Sequence, residues 1–392
     1  MQKKIPHINP SITFNKLSDN EFILCNTLHK HYLKINKDTY DLLSLIDNER
    51  SLQEICELHN QQSEKELTVN ALHFLLYDKL SKYGLLVGEE EQIKPYQKPS
   101  YLKLSFIIFS KRFIAKITPS LHFLFRKKIA FPLLILCAVM IGTELYLLLD
   151  GYKSFKVQES VIFFLVVMAI SVTFHELGHA TAASHFGAEH GGIGGGFYLF
   201  TPVYFADVTD VWRLKKWQRV VVNCAGMYFE IIFCTLLSLV GLLLGQISLT
   251  LIAIIVCLHT FFNLNPFLRS DGYWILSDIT NKPNLLQHSF RKIGDVFKMI
   301  KGKKVQWTKI DFLLLVYGLI SYSFIVLFVY YVLFKNPHSI LNFPQNLYHF
   351  LKSLCNKDAT ISLVSFGELI VPMLFFYLLF SFLKSILRKK KI

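Results

Sequence analysis

Residues 174–182 read FHELGHATA. His175 and His179 stand four residues apart, so on a helix both imidazoles leave the same face. Such a pair can bind one Zn²⁺ ion, and Glu176, beside the first histidine, can take a proton from a water molecule at that ion. The chemistry implied is metal-assisted hydrolysis. Two histidines leave zinc short of a third protein ligand. His185 and His190 follow closely in sequence. Asp271 lies in a second polar interruption of an apolar stretch, HTFFNLNPFLRSDGYWILSD, together with Asn263. Without a chemical task, Asp271 reads as a cap or turn aspartate, Asn263 as a helix-end amide and His259 as a packed polar residue.

The surroundings of these residues give them their weight. The chain has 392 residues, is 52% hydrophobic and 15% aromatic, and carries a net charge of +14. That is too apolar for an ordinary soluble enzyme and suits a membrane protein with a soluble part. The basic residues are scattered between apolar segments, which argues against a nucleic-acid groove. A bilayer core needs about 20 apolar residues as helix. Six stretches reach or approach this, at roughly 129–149, 159–182, 219–245, 248–266, 311–334 and 361–386. HELGH falls in the second. Buried polar residues in such a helix are costly and usually functional.

The loops between the stretches predict the topology. Arg126, Lys127, Lys128, Arg213, Lys215, Lys216, the basic run from Arg291 to Lys309, and Arg388 to Lys391 all fall on one side if the spans alternate. Only Lys153, Lys156, Lys335, Lys352 and Lys357 fall on the other. The positive-inside rule then predicts a multi-pass protein of the cell membrane with both termini in the cytoplasm. The polar opening MQKKIPHINPSITF is not a cleavable signal peptide, so the first span is expected to direct insertion. The fourth span then exits on the side where HELGH lies, bringing Asp271 to a comparable depth. Pro266 and Gly272 break the helix there and let a loop carry the carboxylate inward.

Residues 1–95 read as a small soluble α+β domain resembling a winged helix. SITFNKL, EFILCN and HYLKIN are alternating, strand-like runs. Three helical patterns follow, the second opened by a capping box of Ser51 and Glu54. Residues 96–128 are basic and apolar and predict an interfacial linker lying on the membrane. Residues 129–280 form the expected catalytic core, and 281–392 a basic cytoplasmic loop with two further transmembrane helices. The seven cysteines form no CxxC pair, which favours reduced, buried thiols.

The paired motifs His175-Glu-Leu-Gly-His179 and Asn263-Leu-Asn-Pro266-Phe-Leu-Arg-Ser-Asp271-Gly272 resemble the signature of the site-2 protease family of intramembrane zinc metalloproteases. The resemblance covers roughly residues 129–280. It implies one zinc per chain held by His175, His179 and Asp271, with Glu176 as general base and Asn263 helping to stabilise the oxyanion. The chain departs from the family pattern in Leu268-Arg269-Ser270, where relatives often carry a second proline, and in Ala225-Gly226-Met227, where many carry Ala-Gly-Pro. The second-to-third span connection is too short for a PDZ domain. The order of strands and helices at residues 10–88, with HYLKINKDTYDLLSLIDNERSLQEI, resembles the PqqD-like domains that recognise leader peptides of ribosomally made, modified peptides.

These resemblances imply a peptide or precursor-peptide substrate, the lipid bilayer, and a peptide-modifying enzyme or exporter as partners, with no nucleic acid. The expected activity is peptide-bond hydrolysis in peptide maturation or export. Regulated cleavage of an anti-sigma factor or signal-peptide remnant, and a non-catalytic peptide-binding scaffold, are the alternatives. GGIGGGFYLFTPVYFA, at 191–206, predicts a hairpin or re-entrant strand able to pair with an extended substrate. Asp207 and Asp210 read as solvated loop carboxylates. Glu230, inside the third span, has no partner visible in the sequence.

Overall fold

The computed structural model describes residues 4–26, 28–63, 66–89, 93, 103–151, 161–198, 201–267, 270–282, 284–302, 304–354, 369 and 371–380. The chain is mostly helical, with a small N-terminal strand domain and four helices long and apolar enough to cross a membrane by length and composition. It divides into two compact units, one of residues 1–100, 105–195 and 204–281, the other of 101–104, 196–203 and 282–392.

The first unit begins with an antiparallel sheet of β1 (Ile12–Ser18), β2 (Glu21–Asn26) and β3 (His31–Asn36). The central strand β2 pairs Leu24 with Phe14 on one side and with Leu33 on the other. Helices α1 (Lys37–Ser44), α2 (Leu52–Gln62) and α3 (Val69–His73) follow, and α3 continues as a π-helical turn over Phe74–Leu80. The Ser51–Glu54 capping box forms as expected. Leu24, Leu43, Leu52, Ile55, Leu72 and Leu76 close a single core.

The linker expected over 96–128 is described from residue 103. Among its described residues, a strand β4 (Lys103–Phe109) precedes an amphipathic helix α4 (Lys111–Leu121). The unbroken apolar run Phe106-Ile-Ile-Phe109 lacks the alternation that marks a half-buried strand, so this strand has no period to read in the sequence.

Helix α5 (Lys127–Gly151) and helix α6 (Val161–His185) come next. Strands β5 (Ile193–Tyr198) and β6 (Thr201–Ala206) then form the hairpin expected over 191–206, and the sheet order is β4-β5-β6. Helix α7 (Lys216–Leu244) leads to α8 (Ile247–Phe262) and α9 (Asp271–Thr280). The crossing segments in this unit are Lys127–Tyr146, Phe163–His185 and Lys216–Leu244, of 20, 23 and 29 residues. Their outward faces carry exposed Phe131, Leu136, Val139, Leu165 and Leu242, as a lipid-facing surface would.

Helix α8 is shorter than its expected span of 248–266. Its 16 residues rise about 24 Å at 1.5 Å per residue, below the roughly 30 Å of a hydrocarbon core. Pro266 disfavours helical backbone at Asn265, and the chain turns there. His259 lies exposed on α8, so it is not the packed polar residue the sequence suggested.

In the second unit, α10 (Leu285–Ile300) packs against α11 (Lys309–Tyr330). Lys292 bridges Asp311 at 2.9 Å, and Thr308 with Asp311 caps α11. The apolar segment Lys309–Lys335 has 27 residues and is the fourth long enough to cross a membrane. Short helices α12 (His338–Leu341) and α13 (Phe343–Leu354) follow. Of the stretch expected at 361–386, an apolar helix at Val371–Phe380 is described; most of the remainder, with the basic run Arg388 to Lys391, lies outside the described residues.

Candidate metal centre

The site lies in the first unit and is built where α6, α7 and the start of α9 meet. On α6, Ser171, His175, Gly178 and Ala182 recur at helical spacing and face α7. Ala182, Ala183, Val222 and Ala225 form a tight small-residue contact between the two helices. His175, Glu176 and His179 are buried, at 5%, 9% and 7% exposure. Asp271 opens α9 in its first turn. The Gly272 N–H donates to the Asn263 carbonyl at 2.7 Å, which closes the loop between α8 and α9 and aims Asp271 back at α6. A Cβ on Gly272 would collide with the Leu264 carbonyl, so this turn admits only glycine.

Three ligand atoms converge. His175 Nε2 and His179 Nε2 lie 3.2 Å apart. Asp271 Oδ2 is 2.9 Å from His175 Nε2, and Oδ1 is 3.4 Å from His179 Nε2. Tetrahedral zinc with bonds of 2.0–2.1 Å separates its ligands by about 3.3 Å. The separation of the two Nε2 atoms is close to that value, and one oxygen of Asp271 lies within 4.8 Å of both.

The hydrogen positions sharpen the fit. His179 Nδ1 is 2.8 Å from the Val222 carbonyl, which can only accept, so that nitrogen carries the hydrogen. His175 Nδ1 is 2.9 Å from Glu230 Oε2, an acceptor when ionised. With both rings neutral, the two Nε2 atoms present lone pairs toward each other and toward the Asp271 carboxylate. Asp271 Oδ2 is buried and has no hydrogen-bond partner among the described residues, although His175 Nε2 is close. Facing lone pairs repel, and a cation between them removes the conflict. Gly226 of α7 keeps the space clear, since a Cβ there would lie 2.6 Å from His175 Nε2 and closer still to His179 Nε2. The donor set of two imidazoles and a carboxylate suits zinc. Among the described residues it is the one group of three or more His, Cys, Asp or Glu side chains arranged to hold a metal.

Glu176 is next to the first histidine, and the backbone N–H of Ala206, the last residue of β6, lies near its carboxylate. The hairpin thus ends against the carboxylate expected to act as base. Asn263 caps the C-terminus of α8: its backbone N–H donates to the Thr260 carbonyl, and its own carbonyl accepts from the Gly272 N–H.

Other sequence candidates lie apart. His185 packs against Phe125 and His122, and His190 contacts Thr118 Oγ1 and the Gly191 carbonyl. Neither joins the ligand cluster. Asp207 and Asp210, expected to be solvated, bind the N-terminal domain instead: Lys30 Nζ reaches Asp207 at 2.9 Å, and the Tyr32 hydroxyl donates to Asp210 at 2.9 Å. Asp210 also accepts from Glu189 N–H and Arg213 Nε, and is buried. Burial tends to raise the Asp207 carboxyl, but Lys30 and Thr209 outweigh it and hold the group below its ordinary value. The six described cysteines are all free thiols.

The sequence left Glu230 open. It proves to be buried against the site, accepting from Ser171 Oγ at 2.8 Å as well as facing His175. Val222, Gly226 and Glu230 recur at four-residue spacing on α7, and that spacing was the signal available. The sequence also gave no sign of how α9 is fixed. Arg219 Nε donates to Asp278 Oδ1 at 2.7 Å and Asn223 Nδ2 to Asp278 Oδ2 at 2.8 Å, pinning α9 to α7.

No family model and no solved structure matches the chain. A protein of Bacillus subtilis (strain 168) named "Putative peptide zinc metalloprotease protein YydH" is 26% identical over 207 residues, covering 50% of this chain and 79% of that protein. That similarity and the site geometry both support a metalloprotease.

Proposed function

We propose that the chain is an intramembrane zinc metalloprotease of the site-2 type that hydrolyses a peptide bond of a membrane-associated or precursor peptide. The observation that carries this reading is the convergence of His175 Nε2, His179 Nε2 and Asp271 on one point, with Glu176 beside them, in a helix apolar enough to cross a membrane. The named relative adds independent support for zinc and for a peptide substrate.

His175, His179 and Asp271 would hold the ion. Zinc bound there supplies a Lewis acid for the scissile carbonyl and lowers the pKa of a water toward about 7. Glu176 takes the proton of the attacking water and passes it to the leaving amine. The Ala206 N–H lies near the Glu176 carboxylate. Asn263 is assigned to the developing oxyanion, as one donor whose removal costs a few kcal/mol in other enzymes. Peptide hydrolysis needs an extended backbone. Strand β6 is last in its sheet order and ends at Glu176, so a substrate added along Tyr204–Ala206 would run toward the reactive group.

The N-terminal domain is assigned to peptide recognition in the PqqD-like manner, which makes a ribosomally made, modified peptide the favoured substrate and a modifying enzyme or exporter the neighbouring partner. Its docking through Lys30 and Tyr32 onto the loop after β6 supports that assignment, because a peptide held by the domain is close to the hairpin. The chain is placed in the cell membrane with both termini cytoplasmic, from the distribution of basic residues.

The test is Glu176→Gln in the full chain, assayed on a ribosomally made precursor peptide that the wild-type chain cleaves. The variant should keep its zinc and lose roughly 10²–10⁴-fold in cleavage rate. Cleavage at the wild-type rate would leave a peptide-binding scaffold as the better reading. Deleting residues 1–95 should abolish cleavage of such a precursor; retained cleavage would favour an anti-sigma factor or signal-peptide remnant as substrate.

A further inference from the structure

We infer that Glu230 is a positioning residue for the metal centre: it fixes the ring of His175 with Nε2 toward the ion and supplies negative charge that strengthens metal binding. The inference rests on the zinc reading above and deepens it.

Glu230 lies in the middle of a crossing helix at 1% exposure, where an unpartnered carboxylate is expensive. Among the described residues it has no lysine or arginine partner. Its two oxygens take one donor each, Ser171 Oγ at 2.8 Å and His175 Nδ1 at 2.9 Å. Both donors sit one turn apart on α6, so a single carboxylate spans the turn that carries the first ligand.

The two histidines are treated alike by α7. His179 Nδ1 meets the Val222 carbonyl, His175 Nδ1 meets Glu230, and Gly226 between them leaves room for both Nε2 atoms. As residue numbers rise on α6 they fall on α7, so the helices run antiparallel and their four-residue repeats stay in step. One face of α7 thus sets both tautomers. Outer carboxylates of this kind orient ligating histidines and raise their basicity. Asp271, Glu230 and Glu176 gather three carboxyl groups in a region poor in other cations, a setting that favours a divalent ion.

A purely structural role, tying α6 to α7, would make different demands. It would lower stability on mutation without changing the ion's surroundings. The experiment uses the full chain in detergent as wild type, Glu230→Gln, Glu230→Ala and Ser171→Ala. Zinc affinity is read by competition with a chromogenic chelator, cobalt coordination by the visible absorption of the Co²⁺-substituted protein, and folding by circular dichroism.

Glu230→Ala should fold and bind zinc roughly 10–100-fold more weakly, with altered cobalt bands. Glu230→Gln keeps an acceptor but loses the charge, and should weaken binding roughly threefold or more. Ser171→Ala should show the smallest loss. Wild-type affinity and an unchanged cobalt spectrum in folded Glu230→Ala would overturn the inference. If Glu230→Ala does not fold, Glu230→Gln decides, and unchanged affinity there overturns it. A wild-type protein that binds no zinc would instead remove the metal reading on which the inference stands.

Discussion

Asp271 and Asp278 stand two turns apart on one face of α9, and both are claimed by the neighbouring helices. Asp271 lies against His175 and His179, while Asp278 takes Arg219 and Asn223 of α7. One helix face therefore carries a candidate ligand at its start and an anchor near its end. The Arg219–Asp278 pair is largely buried, so removing one partner strands a charge in an apolar region. Arg219→Ala should cost about 3–5 kcal/mol in stability and release metal, because α9 no longer holds Asp271 in place. Thermal unfolding with metal analysis checks both. Equal zinc content in a folded Arg219→Ala protein would separate the anchor from the site.

Gly226→Ala is the most discriminating change in the helix itself. Alanine favours helix over glycine by about 1 kcal/mol, so α7 should not weaken. The added methyl would nevertheless crowd both Nε2 atoms. Helical content should stay at the wild-type level while zinc affinity falls at least about tenfold. Circular dichroism and chelator competition on the same sample measure the two effects separately.

Docking of the N-terminal domain depends on Tyr32 and Lys30. Tyr32→Phe removes one donor from Asp210, which keeps Glu189 N–H and Arg213, so the loss should be about 1 kcal/mol in thermal stability. Reversing Lys30 and Asp207 together should restore what either reversal alone removes. The folded Asp207 carboxyl is depressed, chiefly by Lys30 against the opposing effect of burial. Its contribution is therefore fully present above the ordinary value of 3.8 and is lost as pH falls through the lower folded value. Near neutral pH the contact should be insensitive to pH and weakened by salt. Unfolding curves at two salt concentrations test this.

Much of the site was legible because its logic is local or nearly so. His175 and His179 share a helix, and four-residue spacing alone puts them on one face. Asp271 was reachable from the break between two apolar stretches, where Pro266 and Gly272 mark a turn. The three strands and the Ser51 cap could be read because alternation and capping are short-range patterns. Glu230 was harder, since its partners are on another helix and a lone carboxylate in an apolar segment names none of them. The ties between Lys30 and Asp207 and between Tyr32 and Asp210 were hidden for the same reason. Both join residues more than 170 positions apart. Strand β4 escaped because a continuous apolar run has no period to read.

The most direct measurement is the zinc content of the purified full chain and of Asp271→Ala, with both proteins shown to be folded. Asp271 is the ligand that the sequence placed only through a second, distant motif. One zinc per chain is expected in the wild type, and Asp271→Ala, left with two imidazoles, should retain little after dialysis against a chelator. Wild-type zinc content in Asp271→Ala, or a wild-type chain that holds none, would contradict a metal centre of His175, His179 and Asp271.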